Sequence, residues 1–178
     1  MNKKELREYI KSQKGLFSSQ QLKEISMPII ARLTSLECFK EANNILLYYS
    51  LPDEVYTHSL ISELTIQGKN IFLPFVKREG EMSIRPCLSP TTLKKGAYNI
   101  MEPTGEDMKS YEDIEIAVVP GVAFDVQNHR LGGGKGYYDR FLPKIKSAVK
   151  IGLAFRFQMF DSIPVNYDDV VMDMVIHS

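Results

Sequence analysis

Apolar residues recur at helical spacing near the start of the chain. Over residues 3–14, Leu6 and Ile10 share one side with Tyr9 and Gln13, while Lys3, Arg7, Lys11 and Lys14 gather on another. A second helix is predicted from Ser18 or Ser19, both good N-caps, to about Phe39, with Pro28 splitting or bending it. The period then changes. Asn44–Ser50 is a short apolar run that reads as a buried strand. Thr57 caps a predicted helix to Gln67, which Gly68 ends, and Asn70–Val76 is the next strand. Strand, helix, strand is the rhythm of a parallel α/β unit. Residues 77–110 are less regular: Met82–Leu88 reads as a strand and Leu93–Glu106 as loop. Glu115–Val119 is a buried strand closed by Pro120-Gly121, followed by a long turn-rich segment and a helix from about Gly136 to Ile145. Lys150–Phe155 and Val170–Ile176 complete the strands. The expected fold is a single three-layer αβα domain over residues 1–178 with a mostly parallel sheet.

The composition narrows the choice of function. A chain of 178 residues supports a core without disulfides or a structural metal, and its two cysteines, Cys38 and Cys87, sit in no metal-binding pattern. They read as reduced thiols of a cytoplasmic protein. A formal net charge of zero argues against a general nucleic-acid binder. No apolar run has membrane-spanning length, and the charged start has no apolar segment of the secretory type behind it.

The most informative stretch runs from Pro120 to Arg140. Gly132, Gly133, Gly134 and Gly136 leave the backbone almost free of side chains, so its N–H groups can converge on an anion. Lys135 adds a positive charge, and the predicted helix start behind it also favours phosphate. The loop is not a P-loop, because Gly136 rather than Ser or Thr follows the lysine. Nor is it a dinucleotide fingerprint, because Tyr137 stands where a small residue is needed. A plain surface turn can also be glycine-rich, but two tyrosines and an aspartate directly after the glycines are unusual for one. Asp139 suits magnesium, which takes one or two carboxylates plus phosphate oxygens and water, or else complements the helix dipole.

The segment Asn128–Leu142 resembles the signature of the 5-formyltetrahydrofolate cyclo-ligase family, roughly R-L-G-x-G-x-G-Y-Y-D, here Arg130-Leu131-Gly132-Gly133-Gly134-Lys135-Gly136-Tyr137-Tyr138-Asp139. The likeness runs from Lys3 to the last strand. Lys3 and Arg7 match the family's basic N-terminal K-x-x-x-R. Glu54 matches its folate-binding glutamate, and Tyr49 a second substrate-contacting position. Asp169 matches a family acid linked to magnesium, and Asp173 a second recurring acid; in an extended stretch both point the same way. The chain also departs from the pattern. Gly133 stands where arginine is frequent, Asn128 where glycine is common, and Asp168 where bacterial relatives often have histidine. That last change leaves open which of Asp168 and Asp169 faces a metal.

The resemblance implies an ATP- and Mg2+-dependent cyclisation of 5-formyltetrahydrofolate to 5,10-methenyltetrahydrofolate, with ADP and phosphate released. It implies ATP contacts from Lys3, Lys4, Arg7, Arg130, Leu131, Gly132, Gly133, Gly134, Lys135, Gly136, Tyr137 and Tyr138, with Lys135 and Tyr138 nearest the chemistry. Tyr49 and Glu54 would bind the folate, and Asp139 and Asp169 the magnesium. A monomer acting on small molecules, with neither nucleic acid nor membrane as partner, is the corresponding expectation. The competing readings are another ATP-dependent kinase or ligase on the same scaffold, or a catalytically silent nucleotide-binding module.

Overall fold

A computed structural model describes residues 1–78, 80–89 and 93–178. In chain order the elements are α1 (Lys3–Lys14), α2 (Ser19–Ser35), α3 (Glu37–Glu41), β1 (Asn44–Leu46), α4 (His58–Ile66), β2 (Asn70–Arg78), β3 (Glu81–Pro86), β4 (Leu93–Lys95), β5 (Met101–Pro103) and β6 (Ile116–Val119). There follow β7 (Ala123–Asp125), β8 (Arg130–Leu131), α5 (Tyr137–Phe141), β9 (Val149–Ala154), β10 (Met159–Phe160) and β11 (Met174–His177). The central sheet has the order β11-β9-β6-β1-β2-β3 and is parallel except for the β2–β3 hairpin at one edge. Among the described residues no helix is long and apolar enough to cross a membrane.

Strand alternation builds a core on each face of this sheet. Ile45 and Leu47, Ile71 and Leu73, and Ile116 and Val118 meet α2 and α4 through Leu22, Ile29, Leu33, Leu60 and Ile61. Leu46, Phe72, Ala117 and Val119 face the other way, onto Phe124, Phe141, Leu142 and Ile145. The expected three-layer arrangement is present. A smaller cluster joins Leu6 and Ile10 of α1 to Ala123, Leu131 and Ile163, so the apolar side of the basic helix packs on the strands that precede the glycine loop.

Several sequence expectations change. Ser18 is the N-cap of α2 and forms a capping box with Gln21. Pro28 lies within α2 on its exposed side, where the carbonyl four residues back can turn to water. The helical stretch breaks instead at Leu36, whose backbone is extended and whose side chain packs on the first core cluster. Strand β1 ends at Leu46 because the chain turns to serve Thr57. Thr57 stands in the N-cap position of α4 without capping it: its hydroxyl donates to the Tyr48 carbonyl at 2.5 Å and accepts from the Ser50 N–H at 3.1 Å.

Strand β2 runs on to Arg78 to form the hairpin with β3, and the predicted loop 93–106 contains a second hairpin, β4–β5. Residues 79 and 90–92 of that irregular span lie outside the described residues. The turn-rich segment after β6 holds β7 and β8, which join β10 in a second sheet of order β10-β7-β8. Its tight turn places Asn128 at φ 66°, left-handed geometry that asparagine tolerates where a glycine is common. The helix predicted to Ile145 shortens to α5 and passes into a 3₁₀ turn over Leu142–Lys144, where Pro143 cannot donate to the helical ladder.

Two features stiffen the lower sheet. Asp125 accepts N–H bonds from Gln127 and His129 at 3.0 Å each and from Ile163 at 3.1 Å, and pairs with the His129 ring at 3.0 Å. Burial alone would raise its pKa, but these donors outweigh burial and hold the carboxyl below its usual range. The Phe124 ring lies so close to Gly121 and Gly152 that a Cβ at either would stand 2.5 Å from it. Gly152→Ala is therefore expected to destabilise the fold by about 1–3 kcal/mol through overpacking. Denaturant unfolding checks this, and an unchanged midpoint would show that Phe124 moves aside freely.

Candidate functional site

Ligands of open α/β sheets bind outside the carboxyl ends of the strands, where successive connections diverge. Here that point lies at β1, whose neighbours are β2, the next strand in the chain, and β6, reached only after both hairpins. The segments leaving β1 and β6 line a cavity of about 770 Å³. Tyr48, Tyr49 and Glu54 come from the first, and Pro120, Gly121 and Val122 from the second.

The glycine loop forms another wall. Gly134 and Gly136 have φ of 105° and 72°, values that disfavour a side chain. Gly133 has open space around its would-be Cβ, which agrees with a position that can carry larger residues. Arg140, just beyond the expected site residues, clamps the loop. Its guanidinium donates to the Lys135 carbonyl and, at 2.6 Å, to the Gly80 carbonyl at the tip of the β2–β3 hairpin. A Cβ on Gly80 or Gly136 would lie 2.8 Å or 2.7 Å from that guanidinium.

Helix α1 supplies cations to the same wall. The Arg7 Nε donates to the Gly132 carbonyl at 2.9 Å, and the Lys3 Nζ meets Asp169 Oδ2 at 2.5 Å. Both residues line the cavity, but Lys4 is exposed and absent from its lining. Lys4 is turned about 100° from Lys3 around α1, toward the exposed side of the helix. Arg130 is buried beneath the loop. Its Nε donates to the Pro120 carbonyl at 2.7 Å, and its guanidinium lies over the Tyr138 ring at 5.0 Å. Burial lowers the Arg130 pKa and raises that of Tyr138, so the phenol stays a hydrogen-bond donor. Lys135 and Tyr137 also line the cavity, and the Tyr137 hydroxyl lies 3.1 Å from that of Tyr98 in the turn between β4 and β5.

The acids divide. Asp139 Oδ1 accepts from the Val170 N–H at 3.1 Å, so α5 and the 166–170 turn share one wall. Asp169 Oδ2 accepts from Lys3 and, at 2.8 Å, from the Asn166 N–H. Burial would raise the Asp169 pKa, but these contacts lower it overall. Asp168 also borders the cavity, from an exposed position. Asp173 does not: the stretch from 169 is not a continuous strand, and Asp173 Oδ2 accepts from the Lys150 N–H at 2.7 Å instead.

Glu54 lines the cavity and accepts from the Leu51 N–H at 2.8 Å; burial raises its pKa. The Tyr49 ring stacks on His58 at 3.7 Å between centroids, and His58 Nε2 lies 2.7 Å from the Ser50 carbonyl. Sequence reasoning missed Lys14 and Asp53, which pair at 3.4 Å on the cavity wall, and also Arg140, Tyr98 and Glu102. Of these, Arg140 had a local signal as the next residue after Asp139, and Lys14 had one on the basic face of Lys3 and Arg7.

A cradle of glycines, flanking cations and paired acids around a crevice at the carboxyl edge of a three-layer sheet defines a small-molecule enzyme of the α/β class. The model of the 5-formyltetrahydrofolate cyclo-ligase family matches residues 1–178. A probable 5-formyltetrahydrofolate cyclo-ligase of Caenorhabditis elegans is 31% identical over 190 residues, covering 98% of this chain and 92% of the relative. The solved 5,10-methenyltetrahydrofolate synthetase of Aquifex aeolicus superposes with a TM-score of 0.88 at 36% identity, covering 99% of this chain and 90% of that one. That of Mycoplasma pneumoniae gives 0.79 at 25% identity, covering 99% and 98%. The chain belongs to the 5-formyltetrahydrofolate cyclo-ligase family.

Lys3→Met is expected to raise the Asp169 pKa, read by NMR titration of the side-chain carboxyl. A depressed carboxyl contributes stability above its unfolded value and loses it as pH falls through its folded value, so the variant should lose that contribution near neutral pH. An unchanged titration would show that the Asn166 N–H, not Lys3, sets the value.

Proposed function

We propose that the protein converts 5-formyltetrahydrofolate to 5,10-methenyltetrahydrofolate with ATP and magnesium, releasing ADP and phosphate. The observation that carries this reading is that one cavity joins the glycine cradle and its cations to Glu54 and Tyr49. A nucleotide triphosphate suits the first group, and the guanidine-like donor edge of a pterin suits the carboxylate of the second.

The chemistry gives ATP a purpose. A formamide oxygen is a poor leaving group. Transfer of the γ-phosphoryl group to that oxygen lets it depart as phosphate, once N10 has attacked the former formyl carbon and given up its proton. The protein contributes position and charge neutralisation. The 132–136 amides, Lys135, Lys3, Arg7 and Arg130 hold the triphosphate, with Leu131 and Tyr137 beside it; exposed Lys4 drops out. The Tyr138 hydroxyl, kept protonated by burial, donates to the reacting oxygen. Glu54 orients the pterin, and Tyr49, backed by His58, lies beside it.

The donor set also fits magnesium. Among the described residues no three His, Cys, Asp or Glu side chains group closely enough to hold a metal by themselves. Asp139 and Asp169, on one wall, offer the pair of carboxylates that magnesium combines with phosphate oxygens and water. Bound there, magnesium would neutralise charge on the triphosphate.

The direct test follows methenyl-folate absorbance and phosphate release on mixing the protein with 5-formyltetrahydrofolate, ATP and magnesium. Phosphate release without the absorbance change would favour another ATP-dependent enzyme. Lys135→Ala should lower kcat/KM for ATP by about tenfold or more with an unchanged unfolding midpoint. Wild-type kinetics in that variant would remove Lys135 from the ATP site. Glu54→Gln should raise the KM for folate by about tenfold, and an effect confined to the ATP KM would count against its role.

A further inference from the structure

Most acids of this protein that are shielded from water collect several donors. Asp125 has four. Asp107 receives Ser83 and Arg85 at 2.8 Å each and Lys77 at 2.5 Å. Asp169 has Lys3 and the Asn166 N–H. The two cavity glutamates do not: among the described residues Glu54 has the Leu51 N–H alone, and Glu102 has less. Glu102 is 5% exposed, and its one hydrogen bond among the described residues is a long one, 3.3 Å from the Val76 N–H to Oε1. No ion pair among the described residues includes it. An ionised carboxyl group offers about four acceptor positions, and shielding them from water without donors is costly.

Its placement shows where donors can come from. Glu102 lies on β5 and lines the same cavity as Glu54, next to Val76, Met82 and Ile100. Gly96, in the turn of the β4–β5 hairpin, presses so close that a Cβ there would stand 2.1 Å from Oε2. That backbone walls off one side of the carboxyl, and its own N–H is engaged elsewhere: the Gly96 N–H is bonded to the Ile100 carbonyl at 2.9 Å. The remaining open side is the cavity.

We propose that Glu102 is a second substrate-binding carboxyl of this cavity and accepts an N–H of the reduced folate, in addition to the donors taken by Glu54. This rests on the folate reading given above. A tetrahydropterin with its p-aminobenzoyl arm carries N–H groups on more than one edge, more than a single carboxylate can satisfy. Glu102 reads such a donor from the β4–β5 side, away from the glycine loop, and so contributes to folate binding and not to ATP binding.

The test compares wild type, Glu102→Gln and Glu102→Leu by calorimetric titration with 5-formyltetrahydrofolate in the absence of ATP, with a parallel ATP titration and thermal unfolding of the free proteins. Both variants should weaken folate binding by about tenfold or more, Leu more than Gln, because a charge-assisted acceptor is lost. ATP affinity should be unchanged, and the free variants should unfold at or above the wild-type temperature, since a buried binding group with one long internal hydrogen bond adds little to the fold. Folate affinity unchanged in both variants would overturn the proposal. So would a lower unfolding temperature together with equal losses for folate and ATP, which would make Glu102 a structural pin of its hairpin. A wild-type protein that takes up ATP but no 5-formyltetrahydrofolate would instead refute the folate function itself, and this assignment with it.

Discussion

The site depends on how the N-terminal helix is fastened to the glycine loop. Loops so poor in side chains have little of their own to pack, and here the order is imposed from outside. Leu6 and Ile10 bury against Ala123 and Leu131, which sets α1 beside the strand that leads into the loop. Burial of that kind is worth about 1.5–3 kcal/mol per large apolar side chain. It is what lets Arg7 reach the Gly132 carbonyl and Lys3 reach Asp169. An apolar contact thus determines the position of the polar ones.

The cavity gathers cations along one wall and carboxyls along others. Its charges answer one another: Lys3 with Asp169, Lys14 with Asp53. Arg130, buried, uses its own π contact with Tyr138 and a backbone carbonyl. Interactions in such a shielded space are stronger than in bulk water, so a charged ligand that replaces these partners meets a field already oriented toward it.

The parallel core was legible because each strand is a short apolar run and each intervening helix has its own period. The glycine loop was legible for a different reason: Gly134 and Gly136 occupy backbone angles that other residues resist, so the conformational demand is written in the residue type itself. The β4–β5 hairpin was not legible. Its strands are three residues each, and only pairing with one another identifies them. Glu102 is buried entirely by tertiary contact, and its neighbours in sequence carry no sign of it. Thr57 shows the same limit in reverse, since a residue with the right chemistry for a cap was claimed by a longer-range turn.

The Arg140 guanidinium lies between two backbone positions, Gly80 and Gly136, that are far apart in the chain and that it crowds alike. These three positions form one structural unit. A side chain at either glycine would both strain a left-handed backbone and push the arginine from its place, and shortening the arginine would unfasten the hairpin from the loop. Effects of changes at neighbours that share a partner do not add. A change at the hairpin tip is thereby felt in the glycine loop through a single side chain.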